Sequence, residues 1–512
     1  MEKVISKLDD EIKPSNFSIL LKGSALSMLC QILGKVVAFL TNFVFARILG
    51  AAMLGNYYLG TSLLAIVSNI SAVGLPKGTL RYVVEFRSRG EKDKLYSVIC
   101  VSLFLGLTSS IVFMIAIYFF RGKIVGLFPE ADIELILHYL LWLMPISVLT
   151  SILMEILRGC RQFTIIILGQ SLLWSVLILA SFLIIVFFLR DSVGTEHAFW
   201  AYIIGTVFVF LLYVFTLKKR VLNNVQKKGH LHNNITKDLI TTSLPLLIVS
   251  ASSMLLTWTD TVMLGSLLGS KGVGIYGAAS RVAILISFVL GAVNSVIPTL
   301  IGESYHSGNR NELQRMLRTV CSWLVYLEIP LLLIFIGFPK EIMSLFGTEF
   351  RAGYMVLVVL SLCQFINVFF GPVGYVLIMS GYERALSGIM VICGLLNVFG
   401  NWILIPKIGI MGAAVSTGGA LVLQNLFMVA VALEQMKIKT IPKNPWLITG
   451  IVLIMIIISV YLERFNASFR IICGGVELLI GGVFILKYIA DDTDKRLLAK
   501  VLKQIGINWA TG

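Results

Sequence analysis

LYSVICVSLFLGLTSSIVFMIAIYFF, residues Leu95–Phe120, contains no charged side chain. About 20 apolar residues in a helix cross a hydrocarbon core of about 30 Å, so this run is long enough to span a bilayer. It lacks the period-two alternation of a half-buried strand, and an open sheet would leave backbone polar groups unpaired in lipid. It reads as a membrane-spanning helix. Similar runs recur at Ile165–Leu189, Val320–Phe338, Tyr354–Met379 and Trp446–Leu462. The whole chain of 512 residues is 57% hydrophobic and 13% charged, against about 25% charged residues in soluble domains. The expected fold class is all-α integral membrane, with about fourteen transmembrane helices from 20–46 to 468–489.

The net charge of +15 would suggest nucleic acid in a soluble protein. Here it follows from the accumulation of Lys and Arg in cytoplasmic loops, and no basic domain stands apart from the helices. Alternate loops carry Lys77, Arg81, Arg87, Arg89, Lys92 and Lys94, then Arg158 and Arg161, then Lys218 to Lys237, then Arg310, Arg315 and Arg318, then Lys437, Lys439 and Lys443. With both tails and Arg384 that side holds about thirty Lys/Arg and the other about ten, which assigns both termini to the cytoplasm of a cytoplasmic (inner) cell membrane. Residues 1–17 form an interfacial segment in this reading, because Val4, Ile5, Leu8 and Ile12 share a helical face and Met1–Pro14 is charged throughout, without the apolar core of a signal peptide.

The helices repeat. Leu49-Gly50, Gly55 and Tyr57 recur as Leu268-Gly269, Gly274 and Tyr276, shifted by 219, while Glu85 and Gly90 recur as Glu303 and Gly308, shifted by 218. An even number of helices per half makes this a parallel repeat. The expected organisation is an N-terminal six-helix lobe over 18–217, a basic inter-lobe loop over 218–238 and a C-terminal six-helix lobe over 239–434. An appended helix pair over 445–489 and a tail over 490–512 follow.

Polar residues form stripes. Ser24, Ser27, Gln31, Lys35 and Asn42 fall on one face of the first helix, and Ser243, Ser250, Ser253, Thr257 and Thr261 on one face of its repeat partner. Such residues can bridge packed helices; matched stripes also suit two walls of one wet cleft. Lys35 and Arg281 lie within apolar spans, where a basic side chain costs about 2.5–3.5 kcal/mol unless it meets a cavity, a partner or the interface. Asp260 can pair with Arg281 on the adjoining helix or lie apart from it. Glu328, beside Pro330, and Glu477 are isolated intramembrane acids that can carry a proton, coordinate a cation or sit neutral in a packed interface. Glu155 precedes Arg158 by three residues, so a local ion pair is expected.

Seven cysteines occur singly and five histidines lie outside or at the edges of the apolar runs, so no metal site or disulfide framework is indicated. No P-loop, HExxH or nucleophile-elbow pattern is present. No cofactor and no catalytic residue is expected.

KGSALSMLCQILGKVVAFLTNFVFARILG, GNYYLG and GLPKGTLRYVVEFRSRGEKDK in the first half, with DTVMLGSLLGSKGVGIYGAASRV and VIPTLIGESYHSGNRNEL in the second, resemble the polysaccharide exporters. These are lipid-linked oligosaccharide flippases of the multidrug/oligosaccharidyl-lipid/polysaccharide (MATE-like) superfamily, commonly with fourteen helices. The resemblance implies a V-shaped bundle that opens alternately to each side around a cationic cavity. That cavity takes the isoprenoid diphosphate and sugars of a lipid-linked saccharide. By position, Lys35 and Arg281 would face the diphosphate, with Gln31, Asn42, Ser253, Thr257 and Asp260 beside them. Asp260 or Glu328 would serve a coupling ion, H+ or Na+; membrane lipids and glycan-assembly enzymes are the other partners. The full basic set of the peptidoglycan-precursor flippases is not matched. The competing readings are an ion-coupled exporter of small organic cations on the same fold and, from another class, a membrane-embedded glycosyl polymerase or ligase.

The loop charges make a first prediction. Single cysteines at Lys92 and Lys228 should resist impermeant thiol reagents applied to intact cells, while those at Glu196 and Thr348 react. External labelling at Lys228 would reverse the orientation.

Overall fold

A computed structural model describes residues 14–128, 132–189, 193–222, 233–294, 296–462, 465 and 474–475. The surface helix expected before residue 14, residues 223–232 of the basic loop, nearly all of the second appended helix with Glu477, and the tail lie outside them. Among the described residues every regular element is a helix. In chain order these are α1 (Pro14–Ser71), α2 (Leu75–Ser88), α3 (Lys92–Gly126), α4 (Ile133–Gly159), α5 (Phe163–Leu189), α6 (Thr195–Val221), α7 (Asn233–Ala283) and α8 (Phe288–Val293). There follow α9 (Ile297–His306), α10 (Arg310–Gly337), α11 (Pro339–Phe346), α12 (Tyr354–Phe370), α13 (Val373–Met379), α14 (Glu383–Ile408), α15 (Ile410–Met436) and α16 (Pro445–Leu462). Eleven stretches of the described residues are long and apolar enough to cross a membrane.

Their outer surfaces could not face water. Phe119 is 78% exposed, Phe188 77% and Phe187 69%, on helices that are apolar all round. In water each would forgo about 1.5–3 kcal/mol of burial; against lipid chains they are an ordinary outer surface. The protein is a multi-pass membrane protein.

Two of the eleven stretches, Cys30–Ser71 and Thr257–Val293, each take in two of the helices expected from sequence. Both fold back on themselves. Asn42 and Tyr58 are sixteen residues apart, about 24 Å along a straight helix, yet Tyr58 Oη donates to Asn42 Oδ1 at 2.9 Å. The chain must therefore reverse between them. It does so at Gly50, the one non-helical residue inside α1, with φ 75° and ψ −179°. In α7 the reversal is at Gly269, with φ 72° and ψ −178°, and Tyr276 Oη donates to Asp260 Oδ2 across the same span of sixteen residues. A side chain with a Cβ rarely adopts that backbone conformation, and glycine adopts it freely. The two reversal glycines are the pair the sequence repeat aligned, and they share one conformation.

The chain separates into two compact units. The first holds residues up to Met254 together with Gly265–Gly274; the second holds Leu255–Leu264 and the residues from Ile275 onward. In the first, Val83, Val98, Ile99, Val148, Ile152, Ile156, Tyr213 and Leu239 form a buried apolar core. Tyr82 Oη lies 2.9 Å from Thr242 Oγ1, which ties α2 to the start of α7. Also inside this unit, a Cβ on Gly55 would fall 1.7 Å from the Ser270 carbonyl oxygen. The turns of the two hairpins thus touch backbone to backbone. In the second unit Ile301, Leu313, Leu317, Val376, Leu377, Cys393 and Ala432 make the core. The local pair expected at the end of α4 is present, with Arg158 Nη1 2.8 Å from Glu155 Oε1.

The reversals carry a second prediction. Gly50→Ala and Gly269→Ala should each cost on the order of 1–3 kcal/mol, lowering the melting temperature of the purified protein. Gly122→Ala on α3, where an added Cβ meets nothing within 4 Å, is the control. Unchanged melting in both reversal variants would refute the strain.

Candidate functional site

On α1 the polar stripe separates into different roles. Lys35 is exposed and Gln31 half-buried. Asn42 is held from both ends: its amide donates to the Ala38 carbonyl at 2.6 Å and its oxygen accepts from Tyr58. It braces the hairpin. On α7, Thr257 is exposed, while the side chains of Ser253, Ser24 and Ser27 lie outside the described set. Arg281 is half-buried and folds back one turn to donate from Nη1 to the Gly277 carbonyl at 3.0 Å.

Asp260 is the most elaborated position, and all its partners lie in the second unit. Its carboxylate is buried and accepts from Tyr276 Oη on the returning arm of α7 and from Asn401 Nδ2 of α14 at 2.9 Å. The pairing with Arg281 that adjacency allowed is not made. The reversal at Gly269 brings Tyr276, sixteen residues on, to the carboxylate instead. Asn397, one turn before Asn401 on the same face of α14, accepts from Asn401 Nδ2 at 3.2 Å and donates to Thr417 Oγ1 of α15 at 2.9 Å. Ser416 Oγ donates to the Asn397 carbonyl at 2.9 Å, which clamps α14 to α15 at this level. Thr417 also faces Asp260.

The donors and acceptors do not balance. Asn401 Oδ1 is buried and accepts no hydrogen bond, while the amide nitrogen of the same side chain faces a carboxylate whose partners are all neutral. Burying an ionised carboxylate without a cation is costly, and a buried acceptor left unmade costs about 1–3 kcal/mol. The cluster is rich in hard oxygen atoms from Asp260, Asn397, Asn401 and Thr417, the ligand chemistry of alkali and alkaline-earth cations. No group of three or more His, Cys, Asp or Glu side chains able to hold a metal occurs among the described residues. Sequence reasoning selected Asp260 and missed Asn397, Asn401 and Thr417. The signal was the pair of asparagines four residues apart in an apolar run.

Glu328 stands separately on α10, buried, two residues before Pro330. Its Oε1 has no hydrogen-bond partner, and its carboxylate meets the Val289 backbone at the start of α8. A third polar region lies in the first unit. A cavity of about 440 Å³ is lined by hydroxyls and aromatic rings, including Ser147, Thr150, Ser151, Trp174, Tyr202 and Thr206. It borders the π-helical turn Leu168–Leu173 of α5, a local widening of the kind that often marks functional sites.

Known proteins with this architecture move substances across membranes. Lipid II flippase MurJ in an inward closed conformation superposes with a TM-score of 0.71 over 91% of this chain and 100% of its own, at 17% identity. An inward-facing multidrug resistance MATE family transporter superposes with a TM-score of 0.65 over 80% of this chain and 98% of its own, at 16% identity. The fold is that of the MurJ-like and MATE-like transporters. Within that class the chain belongs to the polysaccharide biosynthesis protein family, whose profile matches residues 20–302; the MatE profile matches 245–403. A probable low-salt glycan biosynthesis flippase, Agl15 of Haloferax volcanii, is 25% identical over 78% of this chain and 80% of its own. An uncharacterized membrane protein of Methanocaldococcus jannaschii is 21% identical over 94% of this chain and 98% of its own.

The two tyrosine crosslinks should not be equivalent. Tyr58→Phe removes a neutral hydrogen bond, about 0.5–1.5 kcal/mol, whereas Tyr276→Phe removes one to a carboxylate, about 1.5–3 kcal/mol. Thermal unfolding in detergent should show the larger drop for Tyr276→Phe. Equal drops would mean that the carboxylate gains nothing from the tyrosine.

Proposed function

We propose that this protein is a flippase that carries an isoprenoid diphosphate-linked oligosaccharide or polysaccharide repeat unit across the cytoplasmic membrane by alternating access. The observation that carries this reading is the polysaccharide biosynthesis family match over 20–302. The similarity to a glycan biosynthesis flippase supports it. In this reading the halves 18–217 and 239–434 rock against each other, and both termini face the cytoplasm. The protein carries out no covalent chemistry. Lys35 and Arg281 meet the diphosphate, and Gln31, Ser253 and Thr257 line the path beside them, while Asn42 braces the hairpin that carries Lys35. The neutral, hydroxyl- and aromatic-rich cavity beside Trp174 has the chemistry to receive a sugar.

Transport against a gradient needs a coupling ion, and Asp260 is where we place it. A Na+ ion would compensate the buried carboxylate, and the orphaned Asn401 oxygen supplies a further hard acceptor in the same cluster. A proton on Asp260 would neutralise the charge and leave that oxygen bare. Na+ is therefore the favoured ion, with Glu328 as a separate proton-carrying position. The MatE profile match over 245–403 favours a second reading, export of organic cations on the same ion-coupled second half.

Proteoliposomes test both parts. The wild-type protein should flip a fluorescent lipid-linked saccharide, and the Lys35→Ala, Arg281→Ala double variant should lose flipping while reconstituting normally. Lys35→Arg should keep part of the rate, because charge is retained while geometry changes. An imposed Na+ gradient should accelerate the wild type and leave Asp260→Asn unresponsive. Full flipping by the double variant would remove the diphosphate assignment. Transport of organic cations with no saccharide flipping would select the second reading.

A further inference from the structure

A pocket of about 570 Å³ opens at the first turns of α10 and is lined by Asn311, Gln314, Arg315, Arg318 and Thr319. Steps of three and one along the chain put these five on one helix face. The pocket is closed by Lys443 and Asn444, at the end of the strap 437–444 that joins α15 to α16. The strap is pinned there: the Lys443 N–H donates to Ser322 Oγ, one turn deeper on α10, at 2.9 Å. Asn444 takes a left-handed φ of 49° to enter α16.

Three basic residues thus line one recess. Among the described residues, neither Arg315 nor Arg318 has a carboxylate within ion-pair distance. Retention of basic residues in cytoplasmic loops would explain side chains extended into water. It does not explain Arg318, whose Nε is withdrawn from solvent with no hydrogen-bond partner. A recess lined by two arginines that have no carboxylate in reach suits an anion. Two guanidinium groups present the fork that matches the oxygens of a phosphate.

The position selects the source of that phosphate. α10 and α16 are both candidate membrane spans, and the pocket lies where each begins. Trp446, 88% exposed, stands two residues beyond Asn444, and exposed tryptophans settle at the level of lipid headgroups. We infer that this pocket is a binding site for the phosphate of an anionic phospholipid, held by Arg315, Arg318 and Lys443 with the amides around them. A zwitterionic headgroup would bring its own ammonium among three cations and is disfavoured. The inference is independent of the transported substrate.

The test uses the full chain in nanodiscs of mixed phosphatidylglycerol and phosphatidylcholine, with retained lipid counted by native mass spectrometry after transfer to detergent. Wild-type protein should retain phosphatidylglycerol several-fold over its share in the disc. The Arg315→Gln, Arg318→Gln double variant should lose that enrichment, and the corresponding Lys double variant should keep part of it. Melting in phosphatidylcholine alone reports whether the variants fold; if the Gln variant does not, Lys443→Glu on the strap should abolish the enrichment in its place. Enrichment unchanged in a folded charge-removing variant would overturn the site. So would its loss from the wild type on adding inorganic phosphate, which would assign the pocket to a soluble anion.

Discussion

A backbone N–H or C=O that enters hydrocarbon must find its partner within the protein, because each unpaired group costs several kcal/mol there. This constraint makes every regular element among the described residues a helix. Within α1 and within α7 the chain reverses direction at a single residue. Gly50 and Gly269 provide that reversal, and the tyrosine crosslinks to Asn42 and Asp260 hold the arms together below it. The placement of the buried acid, its tyrosine and the asparagines of α14 follows from those two turns.

The fold was legible in the sequence to the extent that lipid imposes one-dimensional rules. Uncharged runs such as Leu95–Phe120 mark spans without knowledge of their neighbours. The recurrence of Leu-Gly at 49–50 and 268–269 marked positions that share a backbone conformation. The site was legible only in part. Asp260 stood out because an acid in an apolar run is rare, but its partners come from α14 and α15, and no local pattern records which helices will be neighbours. Reasoning from adjacency offered it Arg281, the nearest cation in sequence on the next helix. The geometry of a single-residue reversal delivers Tyr276. Asn42 shows the converse: its helical phase put it in the polar stripe, while its two hydrogen bonds make it a brace.

The two halves use one crosslink to different ends. In the first, a neutral amide meets Tyr58 and the connection is complete. In the second, a carboxylate meets Tyr276 and gathers Asn397, Asn401 and Thr417 around it, with one acceptor left over. The same architectural contact thus occurs twice, neutral in one half and built on a carboxylate in the other.

The one-residue reversals also bear on how the chain enters the membrane. An insertion machine that threads a polar loop must dehydrate its peptide groups and charges in transit. Here the turn at Gly50 leaves only Arg47 as a charged side chain near its tip, and the turn at Gly269 only Lys271. Each pair of arms can therefore partition into the bilayer as a preassembled helical hairpin, its internal crosslink already formed, instead of as two spans delivered in succession.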